Sequence, residues 1–306
     1  MTTNESDYGA LYNSYRPLLF SLAYRMLGSV MDAEDIVHEA FLAVGKSGTE
    51  HVSNIQSYLC KIVTNRCINY TQSSGKRREV YVGTWLPEPL IGDAGNIADP
   101  LQSYIHKESI STAYLLLLQQ LTYVERAVFL LREALQYDYD EIADIVGKTS
   151  TNCRQIYHRA KRSVGNYTDA NDAVSHTQED QIAPSPSSEQ MFHLVELFMN
   201  ALANADTAQL MNVLSIDATL FADGGGKVTA PLRPLHGSER ISIFLVGLRA
   251  KVSFDVSYHL TEVNGGPGII LKTNTQTVAV FSFKIEKLRI VELYTVGNPD
   301  KLAHIG

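Results

Sequence analysis

Residues 222–227 read ADGGGK, a run whose composition suggests phosphate chemistry. Glycine-rich runs that end in lysine are typical of loops that bind nucleotide phosphates. That pattern also needs a glycine separated from the final Gly-Lys pair by four residues, and a Ser or Thr after the lysine. Phe221 and Val228 occupy those two positions. We therefore predict a tight hairpin turn between the strand-like runs ATLF and VTA, with glycines at positive φ, and no nucleotide site.

Two basic segments are the other candidates for phosphate binding. The chain has 306 residues and a formal net charge of −7, which does not favour bulk binding to nucleic acid. Residues 150–164 nevertheless contain Arg154, Arg159 and two further bases without any acid, and residues 61–78 contain five Lys or Arg, again without an acid. An acidic chain that concentrates bases in two helices is expected to use them on phosphates.

The second basic segment has the pattern of a recognition helix. Apolar residues at helical spacing predict a buried side made of Cys153, Ile156, Ala160 and Val164. The outward residues are then Asn152, Arg154, Gln155, His158, Arg159 and Arg162. Asn, Gln and Arg are the side chains that read base edges in the major groove. A solvated basic helix face is the alternative interpretation.

Two helical blocks must position these segments. In the first block, about residues 8–75, SVMDAEDIVHEAFLAVG predicts a helix with acids near its N-terminus. Its predicted buried stripe is Ala33, Ile36, Val37, Ala40, Phe41 and Val44. In the second block, about 108–168, Thr122-x-x-Glu125 and Asp138-x-x-Glu141 are capping-box patterns. Helix, Gly147 turn and basic helix together predict a helix-turn-helix, which favours DNA binding over the solvated face.

The remaining segments predict linkers and a third domain. Residues 79–107 contain three prolines and the single tryptophan, and residues 169–189 are polar with two prolines, so both are predicted as linkers. From residue 190 onward two amphipathic helices precede alternating runs, which predicts an α+β domain with a curved antiparallel sheet. The fold class is thus multidomain, with helical domains over 1–78 and 108–168 and an α+β domain over 190–306.

Composition excludes several classes of protein. The three cysteines form no C-x-x-C pair, so neither a zinc site nor a disulfide framework is expected, and a reducing cytoplasm fits. The first ten residues lack the features of a signal peptide, and the apolar runs are too short to span a bilayer. We expect a cytoplasmic protein that needs no cofactor or metal.

The order of these parts resembles bacterial sigma factors of the extracytoplasmic-function (ECF) type. The resemblance rests on DAEDIVHEAFLAV, on NIQSYLCKIVTNRCINY and on LTYVERAVFLLREALQYDYDEIADIVGKTSTNCRQIYHRAKRSV. TWLPEPL, DGGGK and GNPDKL extend it to the SigJ-type subgroup, which has a SnoaL-like (NTF2-like) C-terminal extension. The resemblance implies a two-domain sigma module, containing regions 2 and 4, that binds core RNA polymerase and directs promoter-specific initiation without being an enzyme.

The resemblance also implies roles for matching residues. Docking on the clamp of the polymerase β′ subunit would fall to Asp32, Glu34, Asp35, Ile36, Glu39 and Phe41. Reading of the −10 element, including capture of a flipped base, would fall to Lys61, Asn65, Arg66, Asn69, Lys76, Arg77 and Arg78, with the loop KSGTEHVSN helping to form the base pocket. Reading of the −35 element would fall to Ser150, Thr151, Asn152, Arg154, Gln155, His158, Arg159 and Arg162.

The C-terminal extension is implied to be a built-in regulator that replaces a separate anti-sigma protein. Its expected interdomain residues are Trp85, Leu86, Pro87, Glu88, Pro89, Asp223, Gly224, Gly225, Gly226, Lys227, Asn298, Pro299 and Asp300. The prolines and tryptophan of WLPEPL would form a rigid apolar patch that another domain can bind. Burial of Trp85 against its own helices is the alternative.

Two other functions remain open from the sequence. SnoaL-like domains include cyclases and isomerases, which need an acid or base in an apolar pocket. Candidates for that role are Asp223, His236, Asp255 and His259, although a polar solvent face explains the last two better. A small ligand could also bind in a pocket lined by the helix MFHLVELFMNAL, where packing onto the sheet is the favoured explanation. A ligand-responsive regulator that uses only the helix-turn-helix would leave the acidic first block unexplained.

Overall fold

The structure, a computed structural model, describes residues 3–47, 52–78, 81–92, 110–172, 186–251 and 255–305. Residues 3–8, 47, 74–78 and 166–172 are described as helical backbone only. The chain divides into two compact units. The first contains residues 1–79, 98–107 and 114–178, and the second contains residues 80–97, 108–113 and 179–306. The two predicted helical domains therefore form one unit, and the WLPEPL segment belongs to the unit of the C-terminal domain.

Three helices open the first unit: α1 (Thr3–Leu27), α2 (Val30–Ser47) and α3 (Ile55–Arg78). All six residues of the predicted α2 stripe are buried, as are Leu59, Val63 and Cys67 of α3. The predicted periodicity of α2 is thus confirmed, because one apolar side per helix is enough to form a three-helix core. Pro17 lies inside α1.

Four helices complete the first unit: α4 (Thr112–Gln119), whose first two residues fall in the second unit, α5 (Tyr123–Glu133), α6 (Tyr139–Val146) and α7 (Ser150–Asp172). Both predicted capping boxes are present, one formed by Thr122 with Glu125 and the other by Asp138 with Glu141. Gly147 ends α6 at φ 67°, a left-handed conformation that glycine adopts without strain. The helix-turn-helix predicted from these signals is confirmed.

Two polar contacts join the first three helices to the helices that follow them. The guanidinium of Arg126 in α5 donates to the carbonyl oxygen of Met26, in the last turn of α1. Asn65 of α3 donates its amide to the carbonyl oxygen of Ile145 at 3.0 Å, at the end of α6. Each bond satisfies a carbonyl in the last turn of a helix, where no backbone partner is available.

The second unit consists of helices packed on one mixed sheet. Its helices are α8 (Ser188–Ala203), α9 (Thr207–Val213), α10 (Ser238–Lys251) and α11 (Pro299–Leu302). Its strands are β1 (Ile91–Gly92), β2 (Leu214–Asp223), β3 (Leu235–His236), β4 (Ser257–Val263), β5 (Gly266–Lys272), β6 (Thr277–Glu286) and β7 (Arg289–Val296). The strand order is β1-β4-β5-β6-β7-β2-β3.

The sheet corrects several expectations. Neighbouring strands are antiparallel except β2 and β7, which are parallel, so the predicted all-antiparallel sheet is wrong at that pair. The run VTA is not a strand, and the chain after ADGGGK continues irregularly to β3. The segments of β5 and α10 were not expected. Both are nearly continuous apolar runs, GPGIILK and ISIFLVGL, for which a period is hard to assign.

A continuous apolar core lies between α8 and the sheet. Phe198 of α8 contacts Phe281 and Phe283 of β6, with ring centroids 6.3 and 5.3 Å apart. Leu194, Val195 and Phe198 are buried in this core with Ile269 and Leu293. The MFHLVELFMNAL helix therefore packs onto the sheet, which is the explanation that the sequence favoured over a ligand pocket.

Candidate functional site

The basic helix α7 separates cleanly into a buried side and a polar side. Cys153, Ile156, Tyr157 and Ala160 are buried against the preceding helices, whereas Val164, also expected on the buried side, is half-buried. Every residue predicted to face outward is exposed: Asn152, Arg154, Gln155, His158, Arg159 and Arg162. Thr151 is also exposed and Ser150 is half-buried at the first turn. The exposed side therefore presents donors of the kind that read base edges and phosphates.

Neighbouring side chains hold two of these arginines loosely. The guanidinium of Arg154 lies 5.1 Å from the ring centre of Tyr139, a cation–π distance. Arg159 lies 3.9 Å from a carboxylate oxygen of Glu125. Contacts of this kind between exposed groups contribute little to stability, so both guanidinium groups can turn to a ligand at little cost.

The first basic segment, in α3, presents a mixed surface. Lys61 and Asn69 are exposed, whereas Asn65 and Arg66 are half-buried. Arg66 forms an ion pair with Glu39 of α2, and Asn65 is bound to the carbonyl oxygen of Ile145. Lys76, Arg77 and Arg78 lie in the last turns of α3, and their side chains lie outside the description. So do residues 48–51 of the loop KSGTEHVSN.

The acidic helix α2 requires a correction. Ile36 and Phe41 were expected on the surface that docks on polymerase, but they are 6% and 1% exposed. Phe41 packs against the ring of Tyr12 at 4.7 Å. A helix side that forms the core of its own unit cannot also contact a partner.

The outward side of α2 combines acids with two exposed apolar residues. Asp35 and Glu39 are exposed, whereas Asp32 and Glu34 are half-buried, and Glu34 accepts a hydrogen bond from Arg16 at 2.7 Å. Met31 and Leu42 are 52% and 48% exposed. The sequence reasoning missed these two residues, although their places outside the buried stripe could have marked them.

In the second unit, Asp223 binds the WLPEPL segment. Asp223 is the last residue of β2 and is 1% exposed. One carboxylate oxygen accepts from the Tyr81 hydroxyl at 2.5 Å and from the Gly225 amide at 3.1 Å. The other accepts from the backbone amide of Leu86 at 2.8 Å. Burial and the Asp223 carboxylate together raise the pKa of the Tyr81 phenol well above its ordinary value.

Lys301 completes this arrangement. It lies in α11, within the run NPDKL, and is 7% exposed. Its ammonium group lies 2.7 Å from Asp223 Oδ2, donates to the carbonyl oxygen of Leu86, and stands 4.0 Å from the ring centre of Trp85. It also lies 4.9 Å from the ring centre of Tyr81. Two aromatic rings, a carboxylate and a carbonyl therefore surround one buried cation.

Three further side chains bind the same segment. Asn298 donates to the Tyr81 hydroxyl at 2.9 Å. His304 lies 2.9 Å from the carbonyl oxygen of Pro89 through Nε2, and because a carbonyl can only accept, Nε2 carries the proton. Asn264 accepts from the Leu90 amide at 3.1 Å through Oδ1. We call Asp223, Asn264, Asn298, Lys301 and His304 the linker clamp, and residues 81–92 the linker segment.

The linker segment ends in a strand. Ile91 and Gly92, which form β1, pair antiparallel with Val263 and Glu262 of β4. Leu86 is fully buried, and Pro87, Glu88, Pro89 and Leu90 are buried as well, whereas Trp85 is half-buried. Residues 81–92 of the predicted linker are thus an ordered part of the second unit, and Trp85 stacks on Lys301.

The glycines of DGGGK allow close approach of the NPDKL run. Gly225 and Gly226 have φ values of 58° and 72°, as the turn prediction required. A Cβ atom on Gly225 would lie 2.3 Å from the side-chain nitrogen of Asn298, and one on Gly226 would lie 3.1 Å from Val82. One on Gly224 would lie 2.5 Å from the carbonyl oxygen of Val228. Lys227 pairs with Asp300 at the exposed edge of this turn, at 2.6 Å.

Replacing Gly225 by alanine should destabilise the second unit by about 2 kcal/mol or more, because a side chain would be strained at this φ and would displace Asn298. Urea unfolding followed through Trp85 fluorescence measures the change. Gly247→Ala is the matched control: Gly247 lies in α10 with nothing within 4 Å of an added Cβ, so a gain of about 0.5–1 kcal/mol is expected. Equal effects of the two substitutions would contradict the argument.

The candidate residues for acid–base chemistry do not lie together at one site. Asp223 is bound to the linker segment, and His236 lies 3.1 Å from the Thr219 hydroxyl at the other edge of the sheet. His259 is exposed on β4, and Asp255 is exposed and precedes that strand, which fits the polar solvent face favoured from the sequence. Among the described residues no group of His, Cys, Asp and Glu could hold a metal ion. No helix in the described ranges is long and apolar enough to cross a bilayer.

Comparison with protein families decides what the two helical groups are. Residues 11–77 match the model of sigma-70 region 2, and residues 111–164 match that of sigma-70 region 4. The chain therefore contains sigma-70 regions 2 and 4 and is a sigma factor. Sigma factors bind core RNA polymerase and promoter DNA and act in transcription initiation. They are not enzymes, so the cyclase or isomerase interpretation does not hold.

Relatives and solved structures extend this assignment over the chain. The ECF RNA polymerase sigma factor SigJ of Mycobacterium tuberculosis is 27% identical over 299 residues, covering 95% of this sigma factor and 91% of SigJ. The probable ECF sigma factor SigI of the same species is 26% identical over 304 residues, covering 96% and 94%. The crystal structure of SigJ superimposes with a TM-score of 0.73 at 24% identity over 96% of this chain and 98% of that one, so the two share a fold.

The expected absence of a separate anti-sigma protein is not supported by these comparisons. A structure of the sigma factor RpoE with the anti-sigma factor NepR from Bartonella quintana covers 54% of this chain, at a TM-score of 0.40 and 20% identity. That sigma factor has a separate anti-sigma partner. The similarity is too low to transfer a partner to this chain.

Proposed function

We propose that this sigma factor recognises its promoters through the exposed side of α7 at the −35 element and through α3 at the −10 element. The observation that carries the proposal is the clean division of α7, with buried apolar residues on one side and only polar or basic residues on the other. We assign −35 reading to Ser150, Thr151, Asn152, Arg154, Gln155, His158, Arg159 and Arg162. We assign −10 reading to Lys61, Asn65, Arg66, Asn69, Lys76, Arg77 and Arg78.

For the polymerase, we propose docking of the outward side of α2 on the clamp of the β′ subunit. Asp35 and Glu39, with Asp32 and Glu34 beside them, supply charge, and the exposed Met31 and Leu42 supply apolar area. Exposed apolar residues beside charges are typical of protein interfaces. Action with the polymerase implies a cytoplasmic location.

Replacing Arg154 by alanine should reduce initiation at the cognate promoter about ten- to hundredfold, since one bidentate base contact contributes about 1–3 kcal/mol. Run-off transcription with purified core polymerase measures the effect. Binding to core polymerase should stay at the wild-type level, because Arg154 is exposed on a helix without a role in that docking. Arg240→Ala, at an exposed position of α10, is the matched control. Full activity of the Arg154 variant would contradict the assignment.

We further propose that the second unit regulates the sigma module through the linker clamp, with DGGGK and NPDKL holding the WLPEPL segment. The support is the buried set of bonds from Asp223 and Lys301 to Leu86. The segment connects regions 2 and 4, so its conformation sets the path of the chain between the two promoter-binding elements. A small ligand bound within the C-terminal domain stays a prediction.

The regulatory proposal is tested by comparing the full chain with a chain that ends near residue 170. We expect different affinities for core polymerase and different run-off activities, because the shorter chain lacks every residue of the linker clamp. Circular dichroism first checks that the shorter chain keeps its helices. Equal affinity and equal activity would remove the regulatory role and leave the promoter assignment intact.

A further inference from the structure

The linker clamp binds its segment largely through the main chain. At Leu86 the amide is bound by Asp223 and the carbonyl by Lys301. At Leu90 the backbone amide donates to the side-chain oxygen of Asn264 at 3.1 Å. The Leu90 carbonyl oxygen accepts from the backbone amide of Asn264 at 2.8 Å. His304 binds the carbonyl of Pro89. Main-chain recognition of an extended segment beside a sheet edge is how peptide-binding domains work.

The remaining contacts continue this pattern. The Thr261 hydroxyl donates to the carbonyl oxygen of Gly92 at 3.2 Å, and β1 adds two residues to the edge of β4. Pro87 and Pro89 have no amide donors and favour an extended conformation, which lowers the entropy lost on binding. Tyr81 and Trp85 supply side-chain contacts, and the Leu86 side chain is fully buried. Nothing in these contacts depends on whether the segment belongs to the same chain.

We propose that the second unit is a peptide-binding module that also accepts the linker segment of a second copy of this chain, so that two copies can exchange linkers. The proposal rests on the linker clamp of the proposed function and adds a site that acts between molecules. The occupant is residues 81–92 of the other copy, because that segment already satisfies the donors and acceptors of the site. Exchange of an identical element needs no new interface.

In the wild type, each chain's own linker segment competes with the segment of a second copy for the same site. A segment tethered to its site has an effective concentration in the millimolar range, far above ordinary protein concentrations. Wild-type chains at micromolar concentration should therefore fill their own sites and remain monomeric. Exchange becomes visible when one copy lacks a working segment and the other lacks a working site.

Complementation between two full-length variants tests the proposal. The acceptor carries Trp85→Ala and Leu86→Ala, which damages its segment and removes the single tryptophan of the chain. The donor carries Asp223→Asn and Lys301→Met, which damages its site without leaving a buried charge unpaired. After mixing, all tryptophan fluorescence comes from the donor segment. We expect a complex of twice the 33.9 kDa chain mass and a blue shift of the Trp85 emission.

Controls separate this proposal from the regulatory one. Each variant alone should stay monomeric, and an acceptor that also carries Asp223→Asn and Lys301→Met should bind nothing. Trp85→Phe combined with Leu86→Ala is a milder second acceptor if the first one fails to fold by circular dichroism. Monomers in both mixtures would overturn linker exchange, while a red-shifted Trp85 in the donor alone would still support the clamp. An unshifted Trp85 in the donor would overturn the clamp itself and exchange with it.

Discussion

Lys301→Met is expected to destabilise the second unit by about 3 kcal/mol or more and to shift Trp85 emission to longer wavelength. The substitution keeps the apolar stem of the side chain but removes the only positive group within hydrogen-bonding distance of Asp223 among the described contacts. The Lys301 and Asp223 side chains are 8% and 0% exposed, so the carboxylate would remain as a buried, uncompensated charge. The Leu86 carbonyl would also lose its donor.

Urea unfolding followed through Trp85 measures this loss, because the single tryptophan lies in the second unit and reports on that unit alone. Asp223→Asn combined with Lys301→Met should recover part of the stability, since no charge is then left unpaired. The matched control is Lys227→Met, which breaks the exposed pair with Asp300 and should change stability by less than about 1 kcal/mol. If Lys301→Met cost no more than Lys227→Met, the buried pair would not hold the segment.

How much of this molecule could be predicted from the sequence depends on how local the signals are. Residues close together in the sequence predicted three features: the α2 stripe, the two capping boxes and the left-handed turn at Gly147. In each of them, the residues that form the signal follow one another within about one helical turn. Helical spacing alone therefore distinguished the exposed residues of α7 from most of its buried ones. The glycines of DGGGK likewise predicted the positive φ values. The strand expected after them, over residues 228–230, is not formed.

The linker clamp could not be assembled in the same way. Asp223 and Lys301 are separated from Leu86 by 137 and 215 positions, so their contacts exist only in the folded chain. His304 and Asn264 lie outside the runs that the sequence singled out, and no local pattern marks them. Ile36 and Phe41 were placed both in a buried stripe and on a docking surface, and only the packing of α2 could decide between the two.

Arg126 is a residue of large effect that carries no sequence signal. It stands in the capped helix α5 among apolar residues and is 3% exposed. Its guanidinium donates to the carbonyl oxygens of Met26 and Leu121 and to the side-chain oxygen of Gln119. One arginine therefore binds the last turn of α1 in region 2 and the turn between α4 and α5 in region 4, and its charge suits the negative end of α1.

Arg126→Met is expected to destabilise the first unit by about 3 kcal/mol, because two buried carbonyl oxygens lose a charged donor. Urea unfolding followed by circular dichroism at 222 nm measures it, while Trp85 fluorescence should keep its wild-type midpoint. Arg126→Lys should recover little, since one ammonium group cannot reproduce the planar set of donors. Arg132→Met is the matched control, because Arg132 contacts residues of region 4, donating to the Tyr137 carbonyl at 2.7 Å and lying 5.0 Å from the ring centre of Tyr139. Equal losses from Arg126→Met and Arg132→Met would mean that the contact between the two regions adds nothing to the stability of the unit.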